Sequence, residues 1–325
     1  MDKLDQKTRV LNAMDGKPVD RIPASFWHHF SGEEAVGEAC VKAHLDYYRT
    51  IGADYIKIMS DGFSGPVHCE IKTVDDWKAV RPQGRNSDYI RGQVERAKRI
   101  NDALQGECCT FYNVFSPFTL IREGSPSDQQ TVMAHLRENR RAVMDALDAV
   151  AEDTALLAQL LVTEGGCTGI YQPLQGGELD RFTYDEYREI VMPSDLKVLN
   201  AANEVSNYNI AHLCGWAGFK NRLEIWRDYP ARVFNWAVYI EGMELAEGRE
   251  FLGGKTVLGG LDNRKGGALY SGTEAEIKAA VRKVIADYEA KTGSRDGLIL
   301  GADCTLPADT DLQHIRWAIE AAHEA

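Results

Sequence analysis

GIYQPLQGGELDRFTYDEYREIVMPSDLKVLNAANEVSNYNIAHLCG, residues 169–215, sets the fold class. Its first six residues, Gly169–Leu174, form a short apolar run of strand length that begins on a glycine. Thr183 and Glu186 then stand in the Thr-x-x-Glu order of a capping box, where each side chain satisfies the other's backbone N–H at a helix start. The helix-forming stretch runs on to Val205, and Ile210–Leu213 is a second apolar run. A strand, a helix and a strand in that order imply parallel neighbours joined by a crossover.

The same alternation extends to both ends of the chain. Strands are expected at Ile22–Phe26, Tyr55–Met59, Cys109–Val114, Gly169–Leu174, Ile210–Leu213, Val233–Val238, Val257–Leu261 and Leu298–Leu300. Helical stretches lie between them. Thr131–Leu161 reads as one or two long amphipathic helices. Thr273–Thr292 opens on Thr273 and Glu276 and stops at Gly293, and Asp309–Ala325 closes the chain. Eight strand–helix pairs predict an α/β protein built as a single closed (β/α)8 barrel over residues 1–325. The 325 residues, 44% hydrophobic, suffice for one large core, and no linker or repeat breaks them.

The formal charge of -12 repels phosphate backbones and argues against nucleic acid as a partner. The basic pair Arg140-Arg141 sits among acidic residues in a helical stretch and reads as a solvated face. Met1–Arg9 is polar and lacks the apolar centre of a secretory leader, and no uncharged apolar run approaches the ~20 residues a bilayer needs. A cytoplasmic protein is expected. Seven cysteines, an odd number in a large chain without an export signal, point away from disulfides and toward free, metal-bound or catalytic thiols.

In a barrel of this kind the active site lies where strands end, at the C-terminal face. Those ends carry Trp27-His28-His29-Phe30, Ser60-Asp61, Ser116-Pro117-Phe118, Tyr171, Gly176-Gly177-Glu178, His212-Leu213-Cys214-Gly215-Trp216, Asn235-Trp236, Asp262-Asn263 and Asp303-Cys304. His212 and Cys214 alternate on one strand, so imidazole and thiol project to the same side. Cys304 follows the last strand and would rim the same mouth. One histidine and two cysteines form a borderline-soft set suited to tetrahedral zinc, with one position left open for chemistry. The metal could hold a thiol as thiolate or activate water for hydrolysis. The bland alternative is that buried cysteines are inert core residues. Cys108 and Cys109 are adjacent, face opposite sides and read as core. Cys69 beside His68 reads as a loop pair, and at most one of His28 and His29 can face the mouth.

At these residues the chain resembles the uroporphyrinogen decarboxylase superfamily, and within it the corrinoid-linked methyltransferase branch. That branch includes methylcobamide:coenzyme M methyltransferases, the chloromethane-utilisation methyltransferase and the methyltransferase components of O-demethylases. The resemblance runs through Arg9–Ala13 with Asp20-Arg21-Ile22-Pro23, Gly52-Ala53-Asp54 with Ser60-Asp61, and Ser116–Thr119. It continues through His212–Gly215, Gly259–Asp262, Leu300–Cys304, Pro307–Thr310 and the closing run Gln313–His323. It implies a (β/α)8 barrel and a zinc ion on His212, Cys214 and Cys304. It also implies methyl transfer between a small methylated substrate or thiol and a corrinoid. The Asp-x-His-x-x-Gly signature of a corrinoid carrier is absent, so the corrinoid is expected on a partner protein, with a homodimer as a possible assembly.

Asp61 matches the aspartate that the decarboxylases direct at pyrrole N–H groups. Asp61 and Glu178 are the expected catalytic carboxylates, with either able to hydrogen-bond substrate or complete the zinc sphere. Trp27, His28, Tyr171, Trp216 and Asn235 are the expected substrate wall, and Phe30 and Trp236 add aromatic surface if they face the mouth. Two rival readings stand beside this one. A true uroporphyrinogen decarboxylase would need the arginines of the family's Arg-Gln-Ala-Gly-Arg motif, whose place here reads Phe26-Trp27-His28-His29-Phe30. A non-catalytic binding barrel would have no use for the His-x-Cys and Cys304 set.

Overall fold

The computed structural model describes residues 3–123, 129–215 and 218–325. Seven strands form one parallel sheet in chain order: β1 (Tyr55–Ile58), β2 (Cys109–Asn113), β3 (Gly169–Leu174), β4 (Ile210–Leu213), β5 (Val233–Trp236), β6 (Thr256–Leu261) and β7 (Leu298–Ala302). Every residue of these strands is buried, because one side meets the outer helices and the other meets the opposite strands. The strand period of two separates the sides cleanly. Tyr55, Phe111, Tyr171, Ile210, Val233, Leu258 and Ile299 pack together inside the curled sheet. Ile56, Ile58, Ile170, Leu213, Phe234 and Trp236 pack outward under the helices.

The expected first strand, Ile22–Phe26, is not a strand of this sheet. It is an extended segment with one parallel bridge, Ala24 to Leu300. Its backbone still reaches both sides: Ser25 N–H donates to Leu300 O at 3.1 Å, and Asp54 N–H donates to Ala24 O at 2.9 Å. Two features interrupt the ladder. Pro23 has no N–H to give, and the Ala24 N–H donates at 2.9 Å to the Asp54 carboxylate instead of to a β1 carbonyl. The close approach to β7 needs Gly301, where an added Cβ would lie 3.0 Å from Leu258 Cδ1 and 3.1 Å from Ser25 O.

Asp54 knots this seam. Fully buried, it pairs with Arg21 at 2.9 Å, Arg9 at 3.3 Å and His323 at 2.8 Å. Arg9 in turn holds Asp20 at 2.7 Å. The knot therefore joins the first helix (Gln6–Met14), the extended segment, β1 and the last helix (Leu312–Glu324).

The helices follow their sequence signals. Thr131–Leu161 resolves into two, Gln129–Glu138 and Arg140–Thr163, parted at Asn139, whose side chain caps the second by accepting from Ala142 N–H. Both capping boxes form, at Thr183/Glu186 and Thr273/Glu276, and Gly293 ends its helix in a left-handed turn at φ 78°. Among the described residues no helix is long and apolar enough to cross a membrane. All seven cysteines are free.

Outside the sheet, against β3, lies a buried carboxyl. Asp195 accepts hydroxyl hydrogen bonds from Tyr187 at 2.7 Å and Tyr229 at 3.1 Å, while its other oxygen has no partner. Burial lifts its carboxyl to about 7, against the pull of the two hydroxyls. A folded value above the unfolded one means that folding takes up a proton. The associated stability is complete below pH ~4 and is lost as pH rises through ~7. Asp195→Asn keeps an acceptor for both hydroxyls and cannot ionise. It is expected to raise thermal stability at pH 8 by about 2–4 kcal/mol and to change little at pH 4. Equal melting shifts at the two pH values would refute the protonated carboxyl.

Candidate metal centre

One residue of β4, one just past its end and one just past β7 meet inside the sheet. His212 is paired in register with Pro173 of β3 and Asn235 of β5, and points inward. Cys214 extends the same face by two residues. Cys304 follows β7, where Asp303 N–H is fixed on Leu261 O at 2.8 Å and the Asp303 carboxylate accepts Tyr239 N–H at 3.0 Å. The result is a cluster in which one ligand atom from each of His212, Cys214 and Cys304 lies within 4.8 Å of the others. His212 Nε2 stands 3.4 Å from Cys304 Sγ. His212 and Cys214 are buried and Cys304 is half-buried.

The residues around the cluster fix its charge. The Cys214 and Cys304 sulfurs lie within 4.8 Å of each other. The neighbouring Cys214 thiol, with His212 and Lys57 nearby, holds Cys304 well below the ordinary thiol value despite its burial. The presence of Cys304, reinforced by burial, pushes Cys214 well above it. Gln175 approaches Cys214 Sγ with its Nε2 at 3.6 Å. Asn221 donates to the Cys214 carbonyl at 3.1 Å and is itself held by Glu241, which anchors the turn.

The donor set fits zinc on chemistry and on spacing. A tetrahedral zinc with Zn–S near 2.3 Å and Zn–N near 2.05 Å separates its donors by roughly 3.5–3.8 Å. The His212–Cys304 contact of 3.4 Å is already close to that separation. Two thiols and one imidazole are the soft and borderline donors the ion prefers, and three ligands leave a fourth position free. The imidazole's other nitrogen, Nδ1, is buried without a partner, so this histidine lacks the outer hydrogen bond that commonly orients a metal-binding ring.

Aromatic residues build the wall beside it. Tyr171 stacks on His212 with centroids 5.6 Å apart, and Trp27 meets Tyr171 edge-on at 5.2 Å. Tyr171 Oη donates to Asn235 Oδ1 at 2.7 Å, and Asn235 Nδ2 donates to Leu258 O at 2.8 Å. Asn235 therefore orients Tyr171. Trp236 points outward, against Gly248, and its indole N–H donates to Met243 O at 2.8 Å. As its strand neighbour Asn235 faces in, Trp236 must face out, and it adds nothing to the mouth. Phe30 packs on His44 at 4.3 Å, and His28 lies between Phe30 and Tyr47 with both centroids at 4.6 Å. Trp216 lies outside the described residues.

The two expected carboxylates stand apart from the cluster. Asp61 accepts from Phe30 N–H at 2.8 Å and pairs with His29 at 2.7 Å, which fixes the Trp27–Phe30 turn. Burial raises its carboxyl, but His29 and the Phe30 N–H outweigh that and hold it below the usual range. Glu178 is buried and paired with Arg181 at 2.7 Å, and its Oε1 has no partner. Glu178 and Arg181 border a surface cleft with Leu179, Phe219 and Lys220.

One inward residue escaped the sequence reading. Lys57, on β1 between Tyr55 and Met59, places its Nζ 3.7 Å from the Tyr171 ring centroid and 4.8 Å from that of Trp27. Burial drives its ammonium down to about 7, partly offset by the charges of Cys304 and Cys214. Its signal was present as a lone lysine on the inward phase of an apolar strand.

Comparison with known proteins places this geometry in context. A family model described as uroporphyrinogen decarboxylase (URO-D) matches residues 56–325. No curated protein sequence matches the chain. A solved methyltransferase from Methanosarcina mazei is similar in fold, with 18% identity, a TM-score of 0.76 and 99% of each chain covered. A B12-independent methionine synthase from Shewanella sp. W3-18-1, solved with selenomethionine, covers 94% of each chain at 14% identity and a TM-score of 0.54.

Proposed function

The chain belongs to the uroporphyrinogen decarboxylase family, and from that premise we propose that it is a zinc-dependent methyltransferase, moving a methyl group between a small methylated substrate or thiol and a corrinoid carried by a partner protein. The observation that carries the reading is the buried His212–Cys214–Cys304 cluster, all three ligand atoms within 4.8 Å. The likeness in fold to a methyltransferase is consistent with it. We read residues 1–325 as one barrel domain in which the segment around Ala24 is the eighth stave. Hydrogen bonds from that segment to both β7 and β1 support this. Seven free thiols suit a cytoplasmic setting.

A zinc ion bound by His212, Cys214 and Cys304 would supply Lewis acidity to the sulfur or oxygen that receives or gives up the methyl group. The chain's own residues do the rest. Trp27 and Tyr171, set edge to face, form the aromatic side of the site, and Asn235 keeps the Tyr171 ring in place. Burial of His212 and Cys214 keeps water from the reacting heteroatom. Glu178, paired with Arg181 and with one carboxylate oxygen unpaired, lies at the neighbouring cleft, where it can accept a hydrogen bond from a distal hydroxyl of the substrate. Asp61 holds the turn that carries Trp27 and His28.

Decarboxylation is the weaker reading. The turn at residues 26–30 contributes no arginine, and a substrate bearing many carboxylates would meet a chain of charge -12. The deciding experiment measures zinc in the purified protein and follows demethylation of free methylcobalamin in the presence of 2-mercaptoethanol. One zinc per chain with zinc-dependent transfer is expected. A metal-free protein that releases carbon dioxide from uroporphyrinogen would replace this proposal with its rival.

A further inference from the structure

Across all seven strands there is a single Asp, Glu, Lys or Arg, and it is Lys57. It is only 5% exposed. Its ammonium rests on the faces of Tyr171 and Trp27, and among the described residues it has neither an ion-pair partner nor a hydrogen-bond acceptor. Lysine is almost never buried unless paired, since taking its charge out of water is costly. Two ring faces recover only part of that cost. The ring beneath it, Tyr171, is the one that stacks on His212, and both thiols of the cluster feel its charge. An unpaired cation beside a ligand cluster is half of an interaction whose other half arrives with the substrate.

The sum of charges says what that half must be. A divalent ion, two thiolates and a neutral imidazole add to zero. A protonated Lys57, which also feels Asp61, a carboxylate already paired with His29, then adds a positive charge that the cluster does not cancel. A neutral methylated substrate, whether ether or thioether, does not cancel it. A thiolate or a phenolate does. We propose that Lys57 balances the charge of an anionic fourth ligand and so makes the site prefer the unmethylated, ionised form of its substrate over the methylated one. This rests on the zinc reading given above. Lys57 is a positioning residue for that anion, and Trp27 and Tyr171 form the walls between which it acts.

The test uses cobalt(II)-loaded full-length protein, wild type and Lys57→Met, at neutral pH. Methionine fills a similar volume without charge, and replacing a buried charge with an apolar side chain commonly leaves a fold as stable or more so. Four probes are titrated while the cobalt spectrum is read: 2-mercaptoethanol, phenol, and their methylated forms 2-(methylthio)ethanol and anisole. Lys57→Met is expected to bind cobalt as fully as wild type and to bind an unmethylated probe at least about tenfold more weakly, with the methylated probes unchanged. Loss confined to the thiol identifies a thiolate as the anion, and loss confined to phenol identifies a phenolate. Lys57→Arg should retain part of the preference. Unchanged affinity for both unmethylated probes overturns the proposal. So does a Lys57→Met protein that no longer takes cobalt, because the lysine would then serve the donor set. A wild-type protein that takes no cobalt overturns the zinc reading itself, by an observation separate from these.

Discussion

Cys304→Ala is expected to yield a folded protein that no longer retains zinc through purification and whose methyl transfer falls by at least ~100-fold. The expectation follows from position. Cys304 is half-buried, two residues beyond the end of β7, and packs in neither apolar cluster. Removing its sulfur leaves the core intact and leaves His212 and Cys214 as a two-point site. Loss of an outer hydrogen-bond partner already costs ~10–100-fold in metal affinity, and loss of a direct ligand costs more. Cys214→Ala should behave alike. Cys167→Ala serves as the control: that thiol is buried against Asn101, on the outer side of the sheet, and its removal should change stability but not zinc. Metal analysis with circular dichroism checks all three. Full zinc in Cys304→Ala would rule out the assignment.

The largest effect on stability is expected at Asp54. Its carboxylate is fully buried and faces Arg9, Arg21 and His323 together. Asp54→Ala strands Arg9, which is itself 1% exposed, with one anion fewer in an enclosed site. Breaking a buried pair from one side costs about 3–5 kcal/mol, or roughly 4–7 °C in Tm for a chain of this size. The pH dependence has a definite sign. Burial raises this carboxyl, but His323, the Ala24 N–H and Arg21 together bring it below its ordinary value. Its contribution is therefore complete above pH ~4 and fades as pH falls below that. The difference between wild type and Asp54→Ala should shrink on acidification. A variant melting within about 2 °C of wild type at pH 7 would remove the knot from the account of how the seam is held.

Much of this was legible in the sequence. Six of the seven strands have a starting residue within the expected run, and β3 and β4 coincide with it, because apolar runs bounded by Gly, Asn and Asp have few other uses. β6 begins one residue early, at Thr256. The cluster was legible because alternation on β4 fixes His212 and Cys214 to one side. Less local facts were hidden. That Ala24 would give its N–H to a carboxylate thirty residues away depends on tertiary placement. The direction of Trp236 followed from Asn235 facing inward, which a dipeptide cannot reveal. Lys57 drew no attention in the sequence because a lone lysine in a short strand carries no pattern of its own, and only the curl of the sheet shows it enclosed.

His212 and Cys304 are 92 residues apart in the chain, and the strands that carry them are separated by two others in the sheet. The cluster therefore comes into being late. A growing chain that has emitted His212 and Cys214 has nothing with which to complete the site until β7 has been made and laid against the segment around Ala24. If zinc binds there as proposed, its acquisition would be tied to completion of synthesis, with partly made chains presenting a two-donor site. The reverse also holds in the finished protein. Any opening of the β7 seam draws Cys304 away from His212, so a zinc ion bound as proposed would be shed as the sheet unfastens.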